Sequence, residues 1–277
     1  MIRSIVQTTK GVAASDGAGV KLTRIIASPE LDMVDPLLLL DRFESENPDD
    51  YIGGFPPHPH RGFETVTYML AGRMRHKDNA GNEGVVEPGG VQWMTAAKGI
   101  VHSEMPEQDE GLMKGFQLWI NLPASHKMNA PGYQEFSADE IPAETTDKGG
   151  IIRVITGTTE KGTIGPVINK LTDPLYLDVT LTLGETFSQS IAQSHNAVIY
   201  MIDGEVAIGD TDLCSEQLGV FDQGSEVQII SASEGARFLL MAGKRLEEPV
   251  ARGGPFVMNT RAEVQQAFAD LRAGRFG

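Results

Sequence analysis

The residues of this chain best able to do chemistry fall in two short pairs, His58-Pro59-His60 and His102-Ser103-Glu104. Side chains alternate faces along a strand, so residues two apart point the same way. If both segments are strands, each pair offers two metal-capable groups on one face, and three imidazoles and one carboxylate can converge. That donor set suits a borderline divalent metal: Fe, Mn, Co, Ni or Cu, with Zn also admitted. A lone His-x-His is weak evidence, because histidines pair by chance and also sit satisfied in cores. Two such pairs flanking a hairpin-like segment point to a metal site. Four protein ligands on a six-coordinate ion leave positions open, as a catalytic metal requires and a structural one does not.

The elements that must hold these residues are legible as strands. Thr65-Val66-Thr67-Tyr68-Met69-Leu70 is rich in β-branched and aromatic residues, and Ala71-Gly72 breaks it. Asn79-Ala80-Gly81-Asn82 and Pro88-Gly89-Gly90 are turn signals. By parity Val66, Tyr68 and Leu70 share the face of His58 and His60, which lodges the metal on the apolar inner face of a small barrel. Gly53-Gly54-Phe55-Pro56-Pro57 leads into His58, and its prolines restrict the backbone at the mouth of the site. Phe116, Leu118 and Ile120 alternate with Gln117, Trp119 and Asn121; Gln117 suits a pocket wall or an exposed position equally. Leu37 to Leu40 predicts a buried strand, with Asp41 and Arg42 as a local ion pair. His76, between a short strand and a turn, is expected at the surface, and His126 in a polar loop.

Length and composition set the frame. With 277 residues, 31 Gly and 15 Pro, the chain has material for two modest turn-rich domains. A formal charge of −15 argues against direct nucleic-acid binding, because phosphate contacts need Lys and Arg. Cys214 is the only cysteine, so no intrachain disulfide forms, and a buried thiol is expected. MIRSIVQTTKG lacks a signal-peptide core and no apolar run reaches membrane-spanning length, so a cytoplasmic location without membrane contact is expected. Residues 124–150 predict a linker. Beyond it, Tyr200-Met201-Ile202-Asp203-Gly204 echoes Tyr68-Met69-Leu70-Ala71-Gly72, which puts Ser190 and Ala192 where His58 and His60 stand in the first half. His195 is then a lone imidazole in a hydrogen-bonded structural role. Thr260-Arg261-Ala262-Glu263 is a capping box before Val264, Ala267, Phe268 and Leu271 at helical spacing.

The wording of HPHRGFETVTYMLAG (58–72) and QWMTAAKGIVHSEMP (92–106) resembles the paired motifs of cupins, and specifically those of pirins, a family of two-cupin proteins. DPLLLLDRF (35–43), GFQLWINLP (115–123) and GPFVMNT (254–260) extend the resemblance nearly end to end. It implies an all-β chain of two jelly-roll cupin β-barrel domains in tandem with a short C-terminal helix. The metal-binding cupin is expected over residues 1–130, and a degenerate cupin with the helix over 131–277.

The resemblance also implies one metal ion per chain, Fe(II) by family habit, held by His58, His60, His102 and Glu104. In ordinary cupins the ligand is the Glu that follows the His-x-His, here Glu64. Pirins use the carboxylate of the second motif, here Glu104, and parity leaves both open. Several pirins cleave quercetin. The implied activity is a quercetinase-like dioxygenase: a flavonol chelates the metal through its 3-hydroxyl and carbonyl oxygens, Glu104 accepts the hydroxyl proton, and cleavage by O2 releases carbon monoxide. Pirins are also described as transcriptional co-regulators and as partners of metabolic enzymes. The alternative is therefore a redox-sensing regulator that binds a protein partner.

Overall fold

The structure, a computed structural model, describes residues 1–276, the side chain of Ser233 apart. Strands dominate, and Arg261–Arg272 is the α-helix among the described residues. No helix is long and apolar enough to cross a membrane. The chain forms two compact units. One comprises Met1–Gly11, Ser28–Pro36 and Asp139–Arg245; the other comprises Val12–Ala27, Leu37–Ala138 and Leu246–Gly277. Each terminus is built into the unit that the opposite half of the chain supplies.

The unit dominated by Asp139–Arg245 is a nine-stranded sheet centred on the long strands His195–Ile208 and Glu226–Lys244. Strand Ile5–Thr9 pairs with Leu218–Phe221, and Ile5 packs on the apolar core. Arg3 fixes this start of the chain: it is buried and donates to the carbonyls of Gly224, Asp222, Ala192 and His195 at 2.9–3.1 Å. His195 has its expected structural role, with Nε2 2.9 Å from the Asp173 carbonyl. Cys214 is exposed rather than buried, because alternation along Thr211–Cys214 turns Leu213 inward. The echo of the first half is real in the backbone. Gly72 and Gly204 both adopt φ +76, and a Cβ at Gly204 would lie 2.1 Å from the Gly235 carbonyl oxygen.

The other unit is two facing sheets. The smaller runs Phe55–His60, Ile100–Pro106, Met74–Asp78 and Glu83–Val86 in spatial order. The larger runs Gly132–Phe136, Val91–Thr95, Phe63–Ala71, Met113–Asn121, Leu37–Ser45, Val20–Ile26 and Val12–Asp16. Neither unit closes into a barrel. The proline-rich Phe55–His60 strand lies at a sheet edge, where missing amide donors cost no ladder bonds. Leu22, Phe43, Met69, Met74 and Met113 fill one end of the space between the sheets. Residues 124–150 hold short elements rather than a bare linker, with Gly132–Phe136 and Ala143–Thr145 as edge strands.

The C-terminal hairpin of Ala251–Gly253 and Phe256–Met258 and the helix complete this unit. The predicted capping box is formed, with Thr260 Oγ1 accepting from Glu263 N and Glu263 Oε2 accepting from Thr260 N. Val264 and Ala267 are buried, and the Phe268 ring packs on Phe256 at 4.7 Å.

Candidate metal centre

The predicted pairs lie on adjacent strands. His102 stands opposite His58, and Ile100 opposite His60. Directly opposed residues share a face, so all three imidazoles point inward from the smaller sheet. Their ring centroids are 4.3–5.0 Å apart, and one ligand nitrogen of each lies within 4.8 Å of the others. Beyond His102 the register slips, so Glu104 faces Phe55. This bulge falls at Pro56-Pro57 on the edge strand, and such bulges re-aim side chains beside functional sites.

Each imidazole has its Nδ1 occupied. His58 Nδ1 lies 2.9 Å from the Pro56 carbonyl, His60 Nδ1 3.4 Å from that of Pro255, and His102 Nδ1 3.3 Å from Nδ1 of His76. A carbonyl only accepts, so Nδ1 of His58 and His60 carries the proton and Nε2 keeps its lone pair. His102 Nε2 is buried with no hydrogen-bond partner among the described residues. An orphaned imidazole nitrogen is costly on its own; beside two more imidazoles it fits a metal ion. Burial, and then repulsion from His58, lowers the His60 pKa to about 3. Burial first, then the neighbouring imidazoles, lowers that of His102. Both are therefore neutral, the form that ligates.

Glu104 sits beside the cluster. It is buried, it lines the same cavity as His58 and His60, and its Oε1 accepts from Thr67 Oγ1 at 2.8 Å. Its Oε2 has no partner among the described residues. Glu64 does not line the cavity, and its Oε1 accepts from Thr95 Oγ1 at 2.7 Å. The reason corrects the parity expected from sequence. Gly62 takes φ +92, ends the first strand and turns the chain into the other sheet. The inward residues of the next strand are then Phe63 and Thr67, with Phe63 5.0 Å from the His60 ring, rather than Val66 and Tyr68.

His76 is corrected too: it is fully buried, not at the surface. It stands opposite Glu104 on the smaller sheet, with Nε2 3.5 Å from Asp78 Oδ2. His76 Nε2, like His102 Nε2, makes no hydrogen bond among the described residues, and the Nδ1–Nδ1 contact at 3.3 Å orients the His102 ring. The signal was present, since His76-Lys77-Asp78 has the same spacing of two; its burial depends on a facing sheet. His126 ends the short 3-10 helix Ala124–His126 rather than lying in a loop, and its Nδ1 meets Ser125 Oγ.

The cluster opens on a cavity of about 710 Å³. Gln117 lines it, as do Trp119, Leu39, Phe43 and Phe55. Asp41 and Arg42 are not an ion pair with each other. They project to opposite faces, Asp41 to Arg24 across the cavity floor and Arg42 to Glu44 outside. The C-terminal segment buttresses the wall: Lys127 Nζ donates to the Gly62 and Val257 carbonyls at 2.5 and 3.0 Å, and Val257 N donates to the Arg61 carbonyl.

Two family models match the chain, Pirin over residues 19–120 and the pirin C-terminal cupin domain over residues 176–277. A pirin-like protein of Caulobacter vibrioides is 53% identical over 275 residues, covering 99% of each chain. The chain belongs to the pirin family. Human pirin is 43% identical over 269 residues, which is 95% of this chain and 90% of that one. Among solved structures, a quercetin 2,3-dioxygenase from Acinetobacter baumannii superposes with a TM-score of 0.91 at 31% identity, covering 100% of this chain and 99% of the other. Both halves are thus cupin-type domains, and this member of the family carries a histidine cluster able to hold a metal ion.

Proposed function

We propose that this pirin is a metal-dependent dioxygenase that opens quercetin-like flavonols with O2 and releases carbon monoxide. His58, His60, His102 and Glu104 would hold one metal ion, Fe(II) in the first instance. The observation that carries this reading is the convergence of three imidazoles, ligand atoms within 4.8 Å of one another, beside a cavity that His58, His60 and Glu104 line. Support comes from the Acinetobacter neighbour, which bears that activity in its name.

The bound metal would supply Lewis acidity, lowering the pKa of a substrate hydroxyl, and a redox partner for O2. The chain's own residues supply the rest. Glu104 Oε2, loosened from the metal, would take the 3-hydroxyl proton, while Thr67 holds the other oxygen in place. Trp119, Phe55 and Leu39 offer flat apolar walls that exclude water and suit an aromatic ligand. His76 and the Pro255 carbonyl keep His102 and His60 in the orientation and tautomer that present Nε2.

The test is oxygen consumption and carbon monoxide release on quercetin by iron-loaded protein, set against the metal-free form. Turnover only when loaded, and loss with His58→Ala or His102→Ala but not His126→Ala, is expected. Metal binding with no turnover would overturn the reading and leave a metal-dependent regulator.

A further inference from the structure

The floor of the cavity carries a feature that the metal chemistry does not use. Four polar residues stand side by side on four adjacent strands of the larger sheet: Thr67 opposite Gln117, Gln117 opposite Asp41, and Asp41 opposite Arg24. All four line the cavity. Three inter-strand steps separate the ends, about 14 Å at ~4.8 Å each. The near end is tied to the metal site, because Thr67 bonds Glu104. Residues two along each strand share its face, so the row is flanked by Trp119 and Leu39 on one side and by Phe43 and Leu22 on the other, all cavity residues.

A charged pair in a row flanked by apolar side chains needs a reason. Asp41 is buried, and Arg24 grips it with both arms, Nε to Oδ1 at 3.0 Å and Nη2 to Oδ2 at 2.7 Å. Nη2 also reaches Asp16 Oδ2 at 2.9 Å. The fork is thereby fixed, while the Nη1 hydrogens have no partner among the described residues. Two carboxylates surround one guanidinium, so the local balance is negative and repels a second anion. A hydroxyl or carbonyl oxygen meets no such penalty, and a hydroxyl can also donate to a carboxylate.

We propose that Arg24, clamped by Asp41, is a specificity-determining residue that receives a neutral oxygen substituent at the end of the ligand remote from the histidines. The ligand class is then an elongated flat polyphenol, unconjugated at that end, rather than a sulfated, phosphorylated or carboxylated one. Which end of the ligand lies at the metal rests on the function proposed above; the recognition by Arg24 does not depend on turnover.

Calorimetric binding to iron-loaded protein under argon separates the two. The probes are quercetin, its analogue without pendant-ring hydroxyls, its analogue without the 7-hydroxyl, and a pendant-ring sulfate ester. Wild type should prefer quercetin over one deoxy analogue by about 10–100-fold, and should reject the sulfate at least as strongly. Arg24→Met should remove that preference with metal content unchanged. Because Arg24→Met strands a buried carboxylate, Arg24→Met/Asp41→Leu and Arg24→Lys, which lacks the two-armed fork, repeat the comparison. Equal binding of quercetin and both deoxy analogues by wild type, tighter binding of the sulfate, or a preference that survives in all of these variants would overturn the proposal. Arg24-dependent discrimination without oxygen uptake would sustain it while the dioxygenase reading fell; turnover without discrimination would do the reverse.

Discussion

The carbonyl of Pro255 lies 3.4 Å from Nδ1 of His60, across 195 residues of chain. A histidine of the first cupin motif therefore has its tautomer set by the C-terminal hairpin, which is held against the Arg61-Gly62 turn by Val257 and Lys127. The turn tolerates no side chain: at Gly62, φ is +92 and a Cβ would lie 1.9 Å from the Val257 carbonyl oxygen. Gly62→Ala is expected to cost at least about 2 kcal/mol of stability and to weaken metal retention in the molecules that remain folded. Thermal unfolding together with metal content of the folded fraction checks this; wild-type values for both would show that the hairpin does not bear on the site.

Glu104 and Glu64 are both buried, but only Glu104 lines the cavity with His58 and His60. Glu104→Gln should lower metal retention more than Glu64→Gln, measured by dialysis against a chelator followed by elemental analysis. The reverse ordering would return the site to the ordinary cupin pattern.

His76 should matter without touching the ion. Its Nδ1 is 3.3 Å from that of His102, and Asp78 keeps bonds to Asn82 and Ala80 when His76 is removed. His76→Phe is expected to weaken metal affinity by roughly 10–100-fold with the fold intact. Competition titration with a fluorescent chelator reads the change, and an unaltered affinity would make His76 a mere filler of the core.

The metal-free protein should be acid-sensitive. Burial lowers the His60 pKa to about 3 and also lowers that of His102, whereas an unfolded histidine titrates near 6.5. Between those values the unfolded chain binds protons that the folded one refuses. Stability is therefore full above pH ~6.5 and is lost as pH falls toward 3, by up to about 1.4 kcal/mol per pH unit for each such group. Urea unfolding at stepped pH should show this slope in wild type and a shallower one in His102→Ala. Equal slopes would mean that His102 titrates normally in the fold.

The donor pairs were legible because their spacing of two is a local property of strands. Gly62 hid the rest: it breaks that parity between His60 and Phe63, and sequence alone does not show which glycine ends a strand and which lies within one. The burial of His76 and the Arg24–Asp41 pairing depend on neighbours in other strands. So does the exchange of the two chain ends, since strand Ile5–Thr9 pairs with residues more than 200 positions away. The capping box and the helix after it were legible because both are local.

The late-made wall of the cavity has a consequence for biosynthesis. A ribosome exposes His58, His60, His102 and Glu104 long before it delivers Pro255 and Val257, and domains assemble in the order in which their parts emerge. The nascent pocket thus stays one wall short until the segment of Arg252, Gly254 and Pro255 has been translated. A chain that stops short of Pro255 carries the candidate ligands without the carbonyl that sets the His60 tautomer. The His60 tautomer is therefore set only once the hairpin of Ala251–Gly253 and Phe256–Met258 has folded onto the Arg61-Gly62 turn.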